Sequence, residues 1–213
     1  MPDSSSYKTE QEVFWAGDFG NEYIGRNKAP ELIAANLSLF SDILNHANGI
    51  GAIIEFGANV GLNLQALHQL LPKAKLAAIE INAQAANELR SLGYVDVRHQ
   101  SILDYTPQDT HDLSFIKTVL IHINPDHLAT VYDAIYTSSR KYICVVEYYN
   151  PTPVTVTYRG HTERLFKRDF AGEIMDRYSD LRLVAYGFKY WRDPSFNHSD
   201  VTWFLMEKSA AMK

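Results

Sequence analysis

Three groups of residues have types and spacings that can do chemistry. The first is Glu55-Phe-Gly-Ala-Asn-Val-Gly61. Gly57 and Gly61 frame a tight turn and let the main chain approach a bound molecule that a Cβ would hold away. Asn59 between them tolerates unusual backbone angles better than most residues. The second is Glu80, 19 residues beyond Gly61, a carboxylate able to accept both hydroxyls of a diol. The third is Tyr158-Arg-Gly-His-Thr-Glu-Arg-Leu-Phe-Lys-Arg-Asp169, with four Lys/Arg against two acids in a chain of net charge −5. That local excess suits either an anionic ligand or a solvated face. The eight histidines fall at no metal-ligand spacing, so no metal site is expected. The single cysteine, Cys144, is expected in the core rather than as a nucleophile.

Composition bounds the answer. The 213 residues favour one domain, read as 1–213 with an N-terminal cap or lid over 1–48, a core over 49–208 and a tail over 209–213. At 46% apolar and 21% charged, the proportions are globular. The acidic balance argues against a nucleic-acid partner. No apolar run reaches the roughly 18–20 residues of a membrane span, so no membrane partner is expected. The start lacks a basic region followed by an apolar one, and one cysteine suits a reducing compartment, so the expected location is cytoplasmic. A monomer or homodimer is expected.

The elements that must position these residues alternate in type. Apolar spacing predicts helices over about 30–45, 62–71, 83–91, 126–138 and 169–178. Short apolar runs predict strands at about 51–56, 75–80, 94–98, 113–117, 141–147, 182–190 and 201–207. This order implies an α/β, Rossmann-like, doubly wound and mostly parallel seven-stranded sheet, closed by an antiparallel edge hairpin. The connection near 192–200 is long and polar. Phe14, Trp15, Phe19 and Tyr23 lie outside the alternation and suit a lid, a capping helix or plain packing against the sheet.

In such sheets ligands bind at the carboxyl ends of the strands, where strand order reverses. A dinucleotide-binding turn reads G-x-G-x-x-G; this chain has G-x-N-x-G. The glycine turn, Ala-Ile-Glu80 and Phe115-Ile-Lys-Thr-Val-Leu-Ile-His-Ile123 together resemble the class I S-adenosylmethionine-dependent methyltransferases. Phe14-Trp-Ala-Gly-Asp-Phe-Gly-Asn-Glu-Tyr-Ile-Gly-Arg-Asn27, Tyr158-Arg-Gly-His161 and Lys167-Arg-Asp-Phe170 resemble, more narrowly, the methylases associated with pseudaminic acid biosynthesis.

The resemblance implies S-adenosyl-L-methionine as cofactor, with S-adenosyl-L-homocysteine as product. It implies Gly57, Asn59 and Gly61 along the methionine part and Glu80 on the ribose, with Ile102 at the adenine. Ser101 stands where many such enzymes carry an aspartate for the adenine amino group. Lys117 ends the fourth strand close to the cofactor. Arg26 suits the methionine carboxylate through a two-pronged contact, and Trp15 and Tyr23 suit a cover. Glu55 either orders the turn or meets the cationic part of the ligand.

Methyl transfer is an in-line displacement in which positioning supplies a large share of the catalysis. An alcohol acceptor also needs a base. His122 is the leading candidate, the alternative being support of its loop. Glu147 and Tyr148 end the fifth strand as further catalytic candidates, with Tyr149 and Asn150 as an acceptor wall. Arg159, His161, Arg164 and Arg168 are the candidate clamp for a small anionic acceptor. The implied activity is O-methylation of a sugar, sugar phosphate or nucleotide-linked sugar in surface-glycan biosynthesis. A non-catalytic cofactor-binding regulatory module is the alternative from another class, and a nicotinamide-dependent oxidoreductase the rival enzyme.

Overall fold

The computed structural model describes residues 7–25 and 30–209. Two short helices open it, α1 (Glu10–Ala16) and α2 (Asp18–Ile24), followed by α3 (Pro30–Leu44). The alternation then runs β1 (Ala52–Phe56), α4 (Leu62–Leu70), β2 (Lys75–Glu80), α5 (Ala83–Arg90), β3 (Val95–His99), β4 (His111–Lys117), α6 (Leu128–Ser138) and β5 (Ser139–Glu147). After β5 come β6 (Val154–Tyr158), β7 (His161–Lys167), α7 (Phe170–Arg177), β8 (Leu181–Lys189) and β9 (Val201–Lys208).

Seven strands form one sheet in the order β3-β2-β1-β4-β5-β9-β8. Strands β1 to β5 pair in parallel, while β9 pairs antiparallel with both β5 and β8. The expected doubly wound sheet with an antiparallel edge is therefore present. Its buried central strands alternate faces. Ile54, Phe56, Ile79, Ile116, Ile143 and Val145 pack with residues of α6 and α7. Ile53, Leu76, Ala78, Leu113, Phe115 and Cys144 pack with residues of α3, α4 and α5. Cys144 is fully buried, as core position and strand period require.

Two connections add to the expected pattern. The segment 154–167, to which the sequence reading assigns no element, is a separate two-stranded ribbon. Its sequence, Val-Thr-Val-Thr-Tyr, has the β-branched content of a strand. Its turn, Arg159-Gly160, has φ of 49° and 85°, the left-handed pair of a two-residue hairpin. Between β3 and β4 there is no helix; a single 3-10 turn, Ile102–Asp104, makes the crossover. No helix among the described residues is long and apolar enough to cross a membrane.

Candidate active site

A cavity of about 330 Å³ opens where the parallel strands end, lined by Gly57, Glu80, Ser101 and Lys117 from the ends of β1, β2, β3 and β4 or the residues after them. Strand order reverses between β1 and β4, so this is the position that topology reserves for a ligand.

The glycine turn forms its floor. Gly57, Asn59 and Gly61 have φ of 75°, 49° and 80°. The amides of Gly57 and Ala58 donate to the Ile79 carbonyl at 2.8 and 3.2 Å, tying the turn to β2. The glycines answer protein neighbours as well as backbone angles. A Cβ on Gly57 would stand 2.6 Å from Val119 Cγ2, and one on Gly61 would collide with Leu89 of α5. Gly57 through Val60 line the cavity; Gly61 does not, and serves the packing of α4 against α5.

Glu80 is buried and lines the cavity. Its Oε2 accepts from the Asn59 amide and its Oε1 from the Asn82 amide, each at 2.7 Å. Burial raises its pKa while these amides draw it back. Each carboxylate oxygen keeps a further lone pair for a hydroxyl donor.

The N-terminal helices roof the site. Thr9 and Glu12 form a reciprocal capping box at the start of α1. Glu12, buried, also accepts from the Ser101 hydroxyl. Lys8 pairs with Asp104 at 2.6 Å and donates to the Leu103 carbonyl at 2.9 Å. Asn82 Nδ2 donates to the Trp15 carbonyl at 3.2 Å and to Asn21 Oδ1 at 2.9 Å. Trp15 and Tyr23 both line the cavity, their rings edge-on at 5.3 Å. Arg26 lies outside the described residues. Ser101 lines the cavity but spends its hydroxyl on Glu12 and on capping Leu103 at 3.0 Å; Ile102 lines it too.

Behind the cavity wall stand two carboxylates. Glu55, fully buried in β1, accepts from Asn63 Nδ2 at 2.5 Å, and desolvation raises its pKa to about 8. Glu147 accepts from the Val119 and Leu120 amides, both at 2.8 Å; desolvation raises it to about 8 as well. Neither lines the cavity. Glu147, a catalytic candidate by sequence, thus fastens the turn that carries His122 and does not itself line the cavity. Lys117 does line the cavity. Desolvation lowers its pKa, and the Glu55 and Glu147 carboxylates oppose the shift.

His122 sits in the 3-10 turn Leu120–His122, buried, with its ring on the cavity. Its Nδ1 lies 2.6 Å from the Arg164 carbonyl. A carbonyl only accepts, so Nδ1 carries the proton and Nε2 keeps a lone pair. Desolvation lowers the pKa to about 4, so the ring is neutral at pH 7. Trp15 and Tyr158 flank it at 4.6 and 5.0 Å between ring centroids.

None of the six expected acceptor residues lines the cavity. Arg159 is exposed at the ribbon turn, over the Tyr158 ring at 5.6 Å. Arg164 pairs with Glu10 at 3.1 Å and Arg168 with Glu173 at 2.6 Å, so their charges are already answered. His161 packs against Phe14 and Phe19. Tyr149 is exposed beside Phe204, and Asn150 turns to the Thr152 carbonyl at 2.5 Å. The far wall is instead Tyr148, Tyr158, Asn197, His198 and Ser199. The β8–β9 connection reaches it because His198 Nε2 is tethered to the Ala35 carbonyl of α3 at 2.8 Å. Neither Glu12 nor Asn82 is singled out by the sequence reading; both stand at helix starts, and nothing in the residues around them marks the long-range contacts that bring them here.

No protein-family model and no curated protein sequence matches the chain. Solved structures do match in fold. The chain is similar to the 1,6-didemethyltoxoflavin-N1-methyltransferase of Burkholderia thailandensis, with bound S-adenosylhomocysteine, at TM-score 0.70 and 12% identity over 99% of this chain and 92% of that one. It is similar to magnesium protoporphyrin IX methyltransferase from Synechocystis PCC 6803, with bound SAH, at TM-score 0.68 and 10% identity, covering 94% of this chain and all (100%) of the other. With mitomycin 7-O-methyltransferase the TM-score is 0.66 at 14% identity, over 96% of this chain, which spans 62% of that one. The sheet, its antiparallel edge and the surrounding helices are those of the Rossmann-like methyltransferase fold.

Proposed function

We propose that the protein is an S-adenosylmethionine-dependent methyltransferase acting on a small molecule. The observation that carries this is one cavity bringing together Glu80, the glycine turn and a neutral His122 at the strand-order switch. The residues present fit a polar ligand. Trp15 Nε1, Asn59 Oδ1 and Asn63 Oδ1 belong to residues that line the cavity, and they are buried without a hydrogen-bond partner. Such atoms are costly unless a ligand meets them.

In this reading Glu80 accepts the ribose hydroxyls, the turn from Gly57 to Val60 lies along the donor's chain, and Ile102 meets the adenine. Trp15 and Tyr23 cover it. The bound donor supplies an activated methyl group on sulfur. The chain's own work is to align the acceptor and exclude water. For an alcohol, His122 Nε2 would take the hydroxyl proton, leaving the acceptor oxygen to receive the methyl group that the bound donor would supply. The finer reading is O-methylation of an anionic sugar derivative in surface-glycan synthesis by a pseudaminic-acid-type methylase in the cytoplasm. It rests on the N-terminal block and on Tyr158-Arg-Gly-His161, with 1–213 as one domain capped by 1–48. Tyr148, Tyr158 and the 197–199 segment replace the arginines as the acceptor wall.

Calorimetric titration with S-adenosylmethionine and S-adenosylhomocysteine tests the reading. Saturable binding of both is expected; a folded sample that binds neither overturns it.

A further inference from the structure

Lys117 stands out among the cavity residues. Among the described residues it is the only Lys or Arg on the cavity wall. It ends β4 beside the glycine turn, since Phe56 pairs with Ile116 in the β1–β4 register. No hydrogen bond or ion pair with a described residue engages its ammonium. Its charged neighbours are Glu55, Glu147 and His198. The first two lie behind the wall, each with one oxygen committed to Asn63 or to the Val119 and Leu120 amides. The third belongs to the far wall and is tethered to α3. The cation is thus desolvated and lines the cavity with no hydrogen bond to a described residue. Its carboxylate neighbours Glu55 and Glu147 each keep a second oxygen, Oε2, that is likewise buried without a hydrogen-bond partner, and a bound anion on the cavity side repays the arrangement.

We propose that Lys117 is the anion anchor of the cavity, holding a carboxylate or phosphate of a bound molecule. The inference rests on the methyltransferase reading and deepens it. The same chemistry has two sources: the amino-acid carboxylate of the methyl donor, or an acidic group on the acceptor. In the first case Lys117 takes the part expected of Arg26; in the second it takes that expected of Arg159, Arg164 and Arg168, whose side chains meet other partners.

The test compares wild type, Lys117→Met and Lys117→Arg by calorimetry. The ligands are S-adenosylhomocysteine, 5′-methylthioadenosine, which lacks the amino-acid tail, and, on protein saturated with S-adenosylhomocysteine, inorganic phosphate and glucuronate. Unchanged affinity for 5′-methylthioadenosine is expected in every variant. A loss of at least 10-fold for S-adenosylhomocysteine alone in Lys117→Met, restored by Lys117→Arg, assigns the anchor to the donor. Unchanged S-adenosylhomocysteine binding with loss of saturable phosphate or glucuronate binding assigns it to the acceptor. No change for any of these ligands overturns the proposal. So does an equal loss for all of them in both variants, which gives Lys117 a packing role. A wild type that binds neither nucleoside defeats the methyltransferase reading instead.

Discussion

Glu12 and Ser101, 89 residues apart in the chain, share a hydrogen bond across the mouth of the cavity. The same carboxylate closes the capping box of α1 through its other oxygen, accepting from the Lys8 and Thr9 amides at 2.8 Å. One side chain therefore starts the roof helix and fastens it to the loop after β3. Glu12→Ala is expected to cost about 1–3 kcal/mol, from the lost cap and an orphaned buried hydroxyl. Urea unfolding measures the loss. S-adenosylhomocysteine affinity should fall with it, because the roof that carries Trp15 loses its anchor.

Glu80→Gln keeps the side-chain shape but leaves one acceptor oxygen, setting an NH2 donor against the Asn59 or Asn82 amide and halving what a diol can meet. Cofactor affinity is expected to fall roughly 10- to 100-fold, the worth of hydrogen bonds to a charged group. Calorimetry on a sample with native circular dichroism checks this; unchanged affinity removes Glu80 from the ribose.

His122 gives a prediction in pH. Its folded pKa, about 4, lies below the ordinary 6.5. The unfolded chain therefore binds the proton first. This contribution is full above about pH 6.5 and is lost as pH falls toward 4, roughly 3 kcal/mol in all. His122→Gln should flatten that part of the stability curve, read by urea midpoints from pH 7 to 4. With an acceptor in hand, the same variant should slow single-turnover methyl transfer by on the order of 100-fold or more while leaving cofactor affinity near normal.

Glu147 runs the opposite way. Its folded pKa, about 8, lies above the ordinary 4.5. Its contribution is full below pH 4.5 and is lost as pH rises through 8. Glu147→Gln keeps an oxygen for the Val119 and Leu120 amides and cannot ionise. Relative to wild type it should gain stability between pH 5 and 8, measured by the same unfolding series.

Arg159→Asn should leave cofactor and acceptor kinetics unchanged, since the side chain is exposed and away from the cavity. The turn, with φ of 49° at this residue, favours Asn before Gly. A gain of about 0.5–1 kcal/mol in thermal or urea stability is expected. A raised acceptor KM would return Arg159 to the clamp.

The sheet and its order of elements were legible because buried parallel strands are short, apolar and punctuated by glycine, as at Ala52–Phe56 and Gly57. The position of Glu80 followed from the same pattern. The ribbon was not legible as such: every β6 residue but Tyr158 is exposed, so no apolar period marks them, and charge dominated the reading. Arg164 and Arg168 looked available because their partners Glu10 and Glu173 come from α1 and α7. The far wall was hidden for a similar reason. Asn197, His198 and Ser199 lie in a polar connection, and only the tether to Ala35 carries them to the site.

The β6–β7 ribbon forms no part of the main sheet, yet it contributes Tyr158 to the cavity and the carbonyl that sets the His122 tautomer. Its outer residues, 154–157 and 159–163, are exposed, while Leu165 is buried in the apolar layer beside α6 and α7 and Tyr158 packs against that layer. The ribbon therefore has two halves of unequal tolerance: its tip can vary in length and charge without disturbing the seven-stranded ladder, whereas its base cannot change without repacking the core.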